Sequence, residues 1–230
     1  MKDGLIHVCF VLDESGSMSS STSDVKGGFK TVIEEQKAQA KGGCIISLFK
    51  FSSTVNQIYL GKDVNEIDGD NLDYSAHGMT AMNDGIATAI DSVGKWLADM
   101  DESERPEKNL VVIMTDGTEN FSKEFTIEQV REKIAHQTDK YNWSFIYMGT
   151  DVTDSSYANS LTFGLKNCTT LFNSRDKHKQ NYDIINVATT AYRSLDAPTA
   201  AKAATLDWIL YDMAETVTTE YERTTGVKVS

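Results

Sequence analysis

Three oxygen-bearing side chains, Asp13, Ser15 and Ser17, stand at alternating positions in the run Leu12-Asp-Glu-Ser-Gly-Ser-Met18. Such spacing lets one turn present all three to a common point, and Gly16 between the serines permits a tight bend. Oxygen donors without sulfur or imidazole suit hard cations, magnesium first, with manganese or calcium as alternatives. Two further segments carry the same chemistry: Gly78-Met-Thr80-Ala-Met-Asn-Asp84 offers the Thr80 hydroxyl, and Met114-Thr-Asp116-Gly117 offers the Asp116 carboxylate. Each residue also has an ordinary explanation. Asp13 can cap a turn, Ser15 and Ser17 can be plain loop residues, Thr80 can open a helix, and Asp116-Gly117 can be a simple turn.

The elements around these segments decide where they lie. Continuous apolar runs at 5–12, 45–51, 110–114 and 143–148 read as strands covered on both faces, as in a parallel sheet. Residues 170–172 supply a shorter sixth strand. Residues 55–60 alternate and follow Phe51 after a short polar link, which predicts an antiparallel edge strand. Helical spacing fills the intervals. Val25, Phe29, Val32, Ile33, Gln36 and Ala40 form one stripe; Ile86, Ile90, Val93, Leu97 and Met100 form another. Ile127, Val130 and Ile134 form a third, opened by the capping-box pattern Thr126-Ile-Glu-Gln129. Tyr157 and Leu161 predict a short helix, and Ile184, Ala188, Ala191 and Leu195 a longer one. Strands alternating with helices give an α/β fold, a mainly parallel six-stranded sheet with helices on both faces. Ligands in such folds bind beyond the carboxyl ends of the strands. Asp13 follows the first strand and Asp116 follows the strand at 110–114, so both fall there.

The order DxSxS, then GxTA, then TDG resembles the metal-ion-dependent adhesion site of von Willebrand factor A and integrin inserted domains, over roughly residues 5–195. The wording at 12–18, 113–120 and 143–151 is similar to small intracellular bacterial and phage members. The resemblance implies a Rossmann-like, doubly wound sheet of order 3-2-1-4-5-6, with strand 3 as the antiparallel edge. It implies that Ser15, Ser17 and Thr80 contact the metal through their hydroxyls, Thr80 moving between direct and water-mediated contact. Asp13 and Asp116 would lie nearby and often act through water. The open coordination position would accept a partner's carboxylate. Neutral hydroxyls leave the ion's charge less quenched than carboxylates do, so a hydroxyl-rich shell favours an incoming acid.

Glu14, Met18, His77, Met79 and Glu119 are expected to surround the ion, either as a rim that reads the partner or as solvated loop residues, the latter preferred for His77 and Glu119. Asp84 either supports the Thr80 loop or favours the start of its helix. Asn120 and Ser122 are expected to satisfy backbone groups after Asp116. His7 reads as structural or exposed, and Trp96 and Trp143 as core.

The chain has 230 residues, 40% of them hydrophobic, which suits one domain with a sizeable core. A net charge of −12 speaks against nucleic-acid binding and against anionic membrane surfaces. No apolar stretch approaches the roughly 20 residues of a membrane-spanning helix. Cys9, Cys44 and Cys168 form no CxxC pair and suit a reducing compartment. With no signal peptide read at the N-terminus, the expected location is cytoplasmic. The domain is expected over 1–195. Residues 196–230 are expected as a helical extension with the stripe Leu206, Ile209, Leu210, Met213 and Val217 and a polar tail; oligomeric state is left open. The expected function is a metal-dependent protein-binding module, not an enzyme, whose protein partner presents an Asp or Glu. The alternatives are a magnesium-dependent hydrolase, such as a haloacid dehalogenase-type phosphatase, or a structural domain with a degenerate site. Against a hydrolase, Ser15 stands where that phosphatase type carries a second acid, and neither GxSxG nor GxxxxGK[ST] occurs.

Overall fold

The computed structural model describes residues 1–39, 42–149, 155–162, 164–165, 167–172, 185–186 and 189. Among them six strands form one sheet of order β3-β2-β1-β4-β5-β6. The strands are β1 (Lys2–Asp13), β2 (Cys44–Phe51), β3 (Val55–Asp63), β4 (Pro106–Met114), β5 (Ser144–Gly149) and β6 (Cys168–Phe172). All neighbours run parallel except β3, which is antiparallel to β2. The sheet order and the single antiparallel edge agree with the sequence reading. The β2–β3 ladder shifts register twice, between Ile46 and Leu48 and again between Leu48 and Phe49.

The apolar runs are continuous because each strand serves two cores. Val8, Phe10 and Leu12 of β1 pack with Val25, Phe29 and Val32 of α1 (Thr22–Ala38) on one face. Cys9 and Val11 pack with Ile86, Ile90 and Val93 of α2 (Met82–Asp99) and with Val130 and Ile134 of α3 (Ile127–Tyr141) on the other. Ala158 and Leu161 of α4 (Ser155–Thr162) join this second core. The capping box predicted for α3 is present at Thr126 and Gln129. Of the helix expected around Ile184–Leu195, Ile185 is buried on the α1 side, and the Thr189 hydroxyl donates to the Ile185 carbonyl at 2.6 Å. Asn186 is buried as well; the remaining residues of that helix, the extension at 196–230 and Ala40 lie outside the described residues.

Two segments exceed the sequence reading. β3 continues past Leu60 to Asp63 because Gly61, at φ +65°, lets the strand pass over the Trp96 ring; a Cβ there would stand 2.4 Å from that ring. The stretch from 64 to 74 buries Val64, Ile67, Leu72 and Tyr74 against the α1-side core, although its aspartates and glycine give it the look of a plain loop.

His7 is fully buried on β1, as a structural residue. Its Nε2 lies 2.8 Å from Ser47 Oγ, and its ring sits 5.2 Å from the Trp96 ring. Burial pulls its pKa down from 6.5 to about 3, partly opposed by a hydrogen bond with Asn109. The folded state therefore resists the proton that the unfolded chain accepts. The His7 contribution is complete above pH 6.5 and is lost as pH falls toward 3, with a slope of about 1.4 kcal/mol per unit. Urea midpoints measured across that range should fall more gently for His7→Gln than for the wild type; parallel curves would refute the assignment.

Candidate metal centre

β1 ends by delivering Asp13 into the interior. Its Oδ1 accepts from the Ser15 N–H at 2.7 Å, and its Oδ2 accepts from the Thr115 hydroxyl at 2.6 Å. The Tyr74 hydroxyl donates to the Asp13 carbonyl. Ser15 is buried and Ser17 exposed, with their hydroxyl oxygens 3.0 Å apart. From the end of β4, Asp116 reaches the same loop and accepts from Ser17 Oγ at 2.5 Å. Its other oxygen, Oδ2, is buried with no hydrogen-bond partner among the described residues. A buried carboxylate oxygen in that state is costly, and a cation is one means of satisfying it.

Gly117 gives a direct measure of how closely the three segments converge. The point where its Cβ would stand lies 3.2 Å from Ser17 Oγ, 3.3 Å from Thr80 Oγ1 and 3.6 Å from Asp13 Oδ2. Oxygens from all three predicted segments thus surround one small spot that a glycine leaves open. All five residues, Asp13, Ser15, Ser17, Thr80 and Asp116, come together at the carboxyl edge of the sheet. Burial raises the Asp13 carboxyl to about 6; its hydrogen bonds with Thr115 and Ser15 pull the other way, and the Asp116 charge adds to the rise. Two carboxylates and three hydroxyls fit a hard divalent ion that offsets this crowding of negative charge. Among the described residues no group of three or more His, Cys, Asp and Glu gathers as a metal site; the oxygens that converge here come from hydroxyls as well as from the two carboxylates.

The sequence profile of the von Willebrand factor type A domain matches residues 7–185. The chain belongs to this family. Solved structures similar to this type A domain include proximal thread matrix protein 1 from the mussel byssus with a zinc-occupied MIDAS motif (19% identity, TM-score 0.58, 82% of this chain and 47% of that one). The vWF domain of the type V pili tip protein Mfa5 from Porphyromonas gingivalis has 10% identity and a TM-score of 0.62, over 86% of this chain and 99% of that one. The PilB minor pilin of Streptococcus sanguinis has 13% identity and a TM-score of 0.57, over 84% and 63%. This type A domain spans about half the length of the mussel protein. No curated protein matches.

The surroundings of the type A site differ from expectation. Glu14 and Met18 are buried and form no rim. Met18 belongs to the α1-side core. Glu14 pairs with Lys50 at 2.8 Å, both side chains nearly inaccessible, and also accepts from the Ser75 N–H at 2.6 Å. Lys50 donates in addition to the Asp73 carbonyl at 2.5 Å. This buried clasp holds the 73–77 segment against the 13–17 loop, and sequence reasoning missed it. Met79 and His77 are exposed. Glu119 is half-buried rather than solvated and accepts from the Asn83 N–H at 2.8 Å in the first turn of α2. It supplies an N-terminal acceptor that Ala81, at the N-cap, lacks.

Gly117 has no left-handed φ, so Gly117→Ala places a methyl among the three oxygens without straining the backbone. Magnesium binding should weaken by about tenfold or more, while the far-ultraviolet circular dichroism of the metal-free protein stays unchanged. Titration calorimetry reads this directly; unaltered affinity would show that the ion does not use this spot.

Proposed function

We propose that this type A domain captures a partner protein through a magnesium ion held by Ser15, Ser17, Thr80, Asp13 and Asp116. The observation that carries the reading is the buried, unpartnered Asp116 Oδ2 beside a spot lined by oxygens from all three segments. When bound, the ion supplies an electrophilic position for a carboxylate. The chain's own residues set up that preference. Three neutral hydroxyls contribute donors without charge, and Asp13 keeps its orientation through Ser15 and Thr115. The partner would present an Asp or Glu.

Binding rather than turnover is the proposed role. The similar structures are described by name as a byssus matrix protein and pilus proteins, which supports an interaction module. Among the described residues Cys9, Cys44 and Cys168 form no disulfide, in keeping with the proposed placement in a reducing, cytoplasmic compartment. Affinity capture from the native host in magnesium, followed by elution with EDTA, tests the reading. The expected result is a protein that elutes on chelation and is not captured by Thr80→Val. A partner that stays bound in EDTA would exclude a metal-bridged contact.

A further inference from the structure

The backbone of Thr80 is committed to the turn that follows Asp116. The Thr80 N–H donates to Asn120 Oδ1 at 3.0 Å. The Thr80 carbonyl accepts from the N–H groups of Asn120 and Phe121 at 3.0 and 3.2 Å. Behind this clasp Glu119 gathers four donors: Asn83 N–H, Phe121 N–H and Ser122 N–H, each at 2.8 Å, and the Ser122 hydroxyl at 2.7 Å. Asp84 returns the tie from α2, accepting from the N–H groups of Lys123, Glu124 and Phe125 at 2.8, 3.1 and 2.9 Å. Each carboxylate therefore reaches from one segment to the backbone of the other. On the opposite flank the Gly78 carbonyl accepts from the Gly16 N–H at 3.1 Å, and the Ala81 N–H donates to the Ser52 carbonyl at 2.8 Å.

We propose that Asn120, backed by Glu119, is a positioning residue for Thr80, so that the Thr80 hydroxyl and Asp116 meet the ion as one preformed unit instead of by independent movement. The inference rests on the metal-site reading above. A donor already fixed in place incurs little ordering cost when the ion arrives. A Thr80 released from its clasp loses that advantage, and water takes its position on an ion that keeps waters readily.

Manganese is the probe. Its affinity comes from titration, and its coordinated waters are counted by electron spin echo in deuterated water. Asn120→Ala should weaken manganese by about tenfold and add one coordinated water, as Thr80→Val does. Asn120→Asp keeps an acceptor for the Thr80 N–H and should return the wild-type water count. Asn120 is exposed, so its truncation leaves the cores intact. Glu119→Gln, which keeps one acceptor oxygen, should move both readouts in the same direction by less. Wild-type affinity and water count in Asn120→Ala would overturn the inference. So would weakened affinity with an unchanged water count, since that describes general damage to the site. If the wild type itself fails to bind manganese, the metal reading falls and takes this inference with it; if the wild type binds and Asn120→Ala matches it, only the positioning role falls.

Discussion

Asp13→Asn should abolish stabilisation by magnesium while leaving the metal-free protein at least as stable as the wild type. At a magnesium concentration 100 times its dissociation constant, binding to the folded state alone adds about 2.7 kcal/mol, so the wild-type melting temperature rises by roughly 5–10 °C. The variant should show no rise. Its metal-free fold should not suffer, because the carboxylate it loses is buried and its pKa is lifted by that burial. The asparagine oxygen still accepts from the Ser15 N–H, and the Thr115 hydroxyl turns to accept from the new amide. Both outcomes together would mark Asp13 as a position where function is maintained against stability. Paired thermal melts with and without magnesium check both halves. A magnesium-dependent rise that survives in Asp13→Asn would remove Asp13 from the metal site.

Lys50→Met should destabilise the fold by about 3–5 kcal/mol, because it leaves the Glu14 carboxylate buried without its cation. For a chain of this size that corresponds to a melting temperature lower by roughly 6–20 °C. Lys50 and Glu14 have side-chain exposures of 6% and 5%, so solvent does little to replace the lost partner. The double variant Lys50→Met with Glu14→Gln should recover a large part of the loss, since the neutral amide still accepts from the Ser75 N–H. A surface-type ion pair would cost at most about 1 kcal/mol, and a measured loss that small would contradict the buried clasp. Because Glu14 adjoins Asp13 in sequence and the clasp grips the 73–77 segment, Lys50→Met should also weaken magnesium binding. Calorimetry below the melting transition separates that effect from unfolding.

The sheet was readable because burial on both faces leaves a strong sequence trace: runs such as 5–12 and 110–114 contain no charged residue. The convergence of the Asp13, Thr80 and Asp116 segments was readable for a related reason. Asp13 and Asp116 follow two of those runs, where a parallel sheet must place its functional edge. What escaped had no local trace. Lys50 lies inside an apolar strand, and its partner is 36 residues away; a lone lysine in such a run does not say which carboxylate will meet it. Glu119 acts on α2 across a comparable distance, and no motif couples a turn residue to an N–H in the first turn of a distant helix. The 64–74 stretch buries Val64, Ile67, Leu72 and Tyr74 at spacings that fit neither a strand nor a helix. Gly61 makes room for Trp96, a packing role that its place beside an alternating run does not reveal.

The doubled register shift where β3 meets β2 bears on how crowded copies of this molecule behave. An open border strand is a template for recruitment of foreign strands, and runaway stacking ends in fibres. Irregular pairing within so few residues bends and twists the border, so its outward-facing amides do not offer the even row that a flat newcomer requires. The same irregularity that disturbs one ladder inside the molecule thereby discourages others from forming outside it.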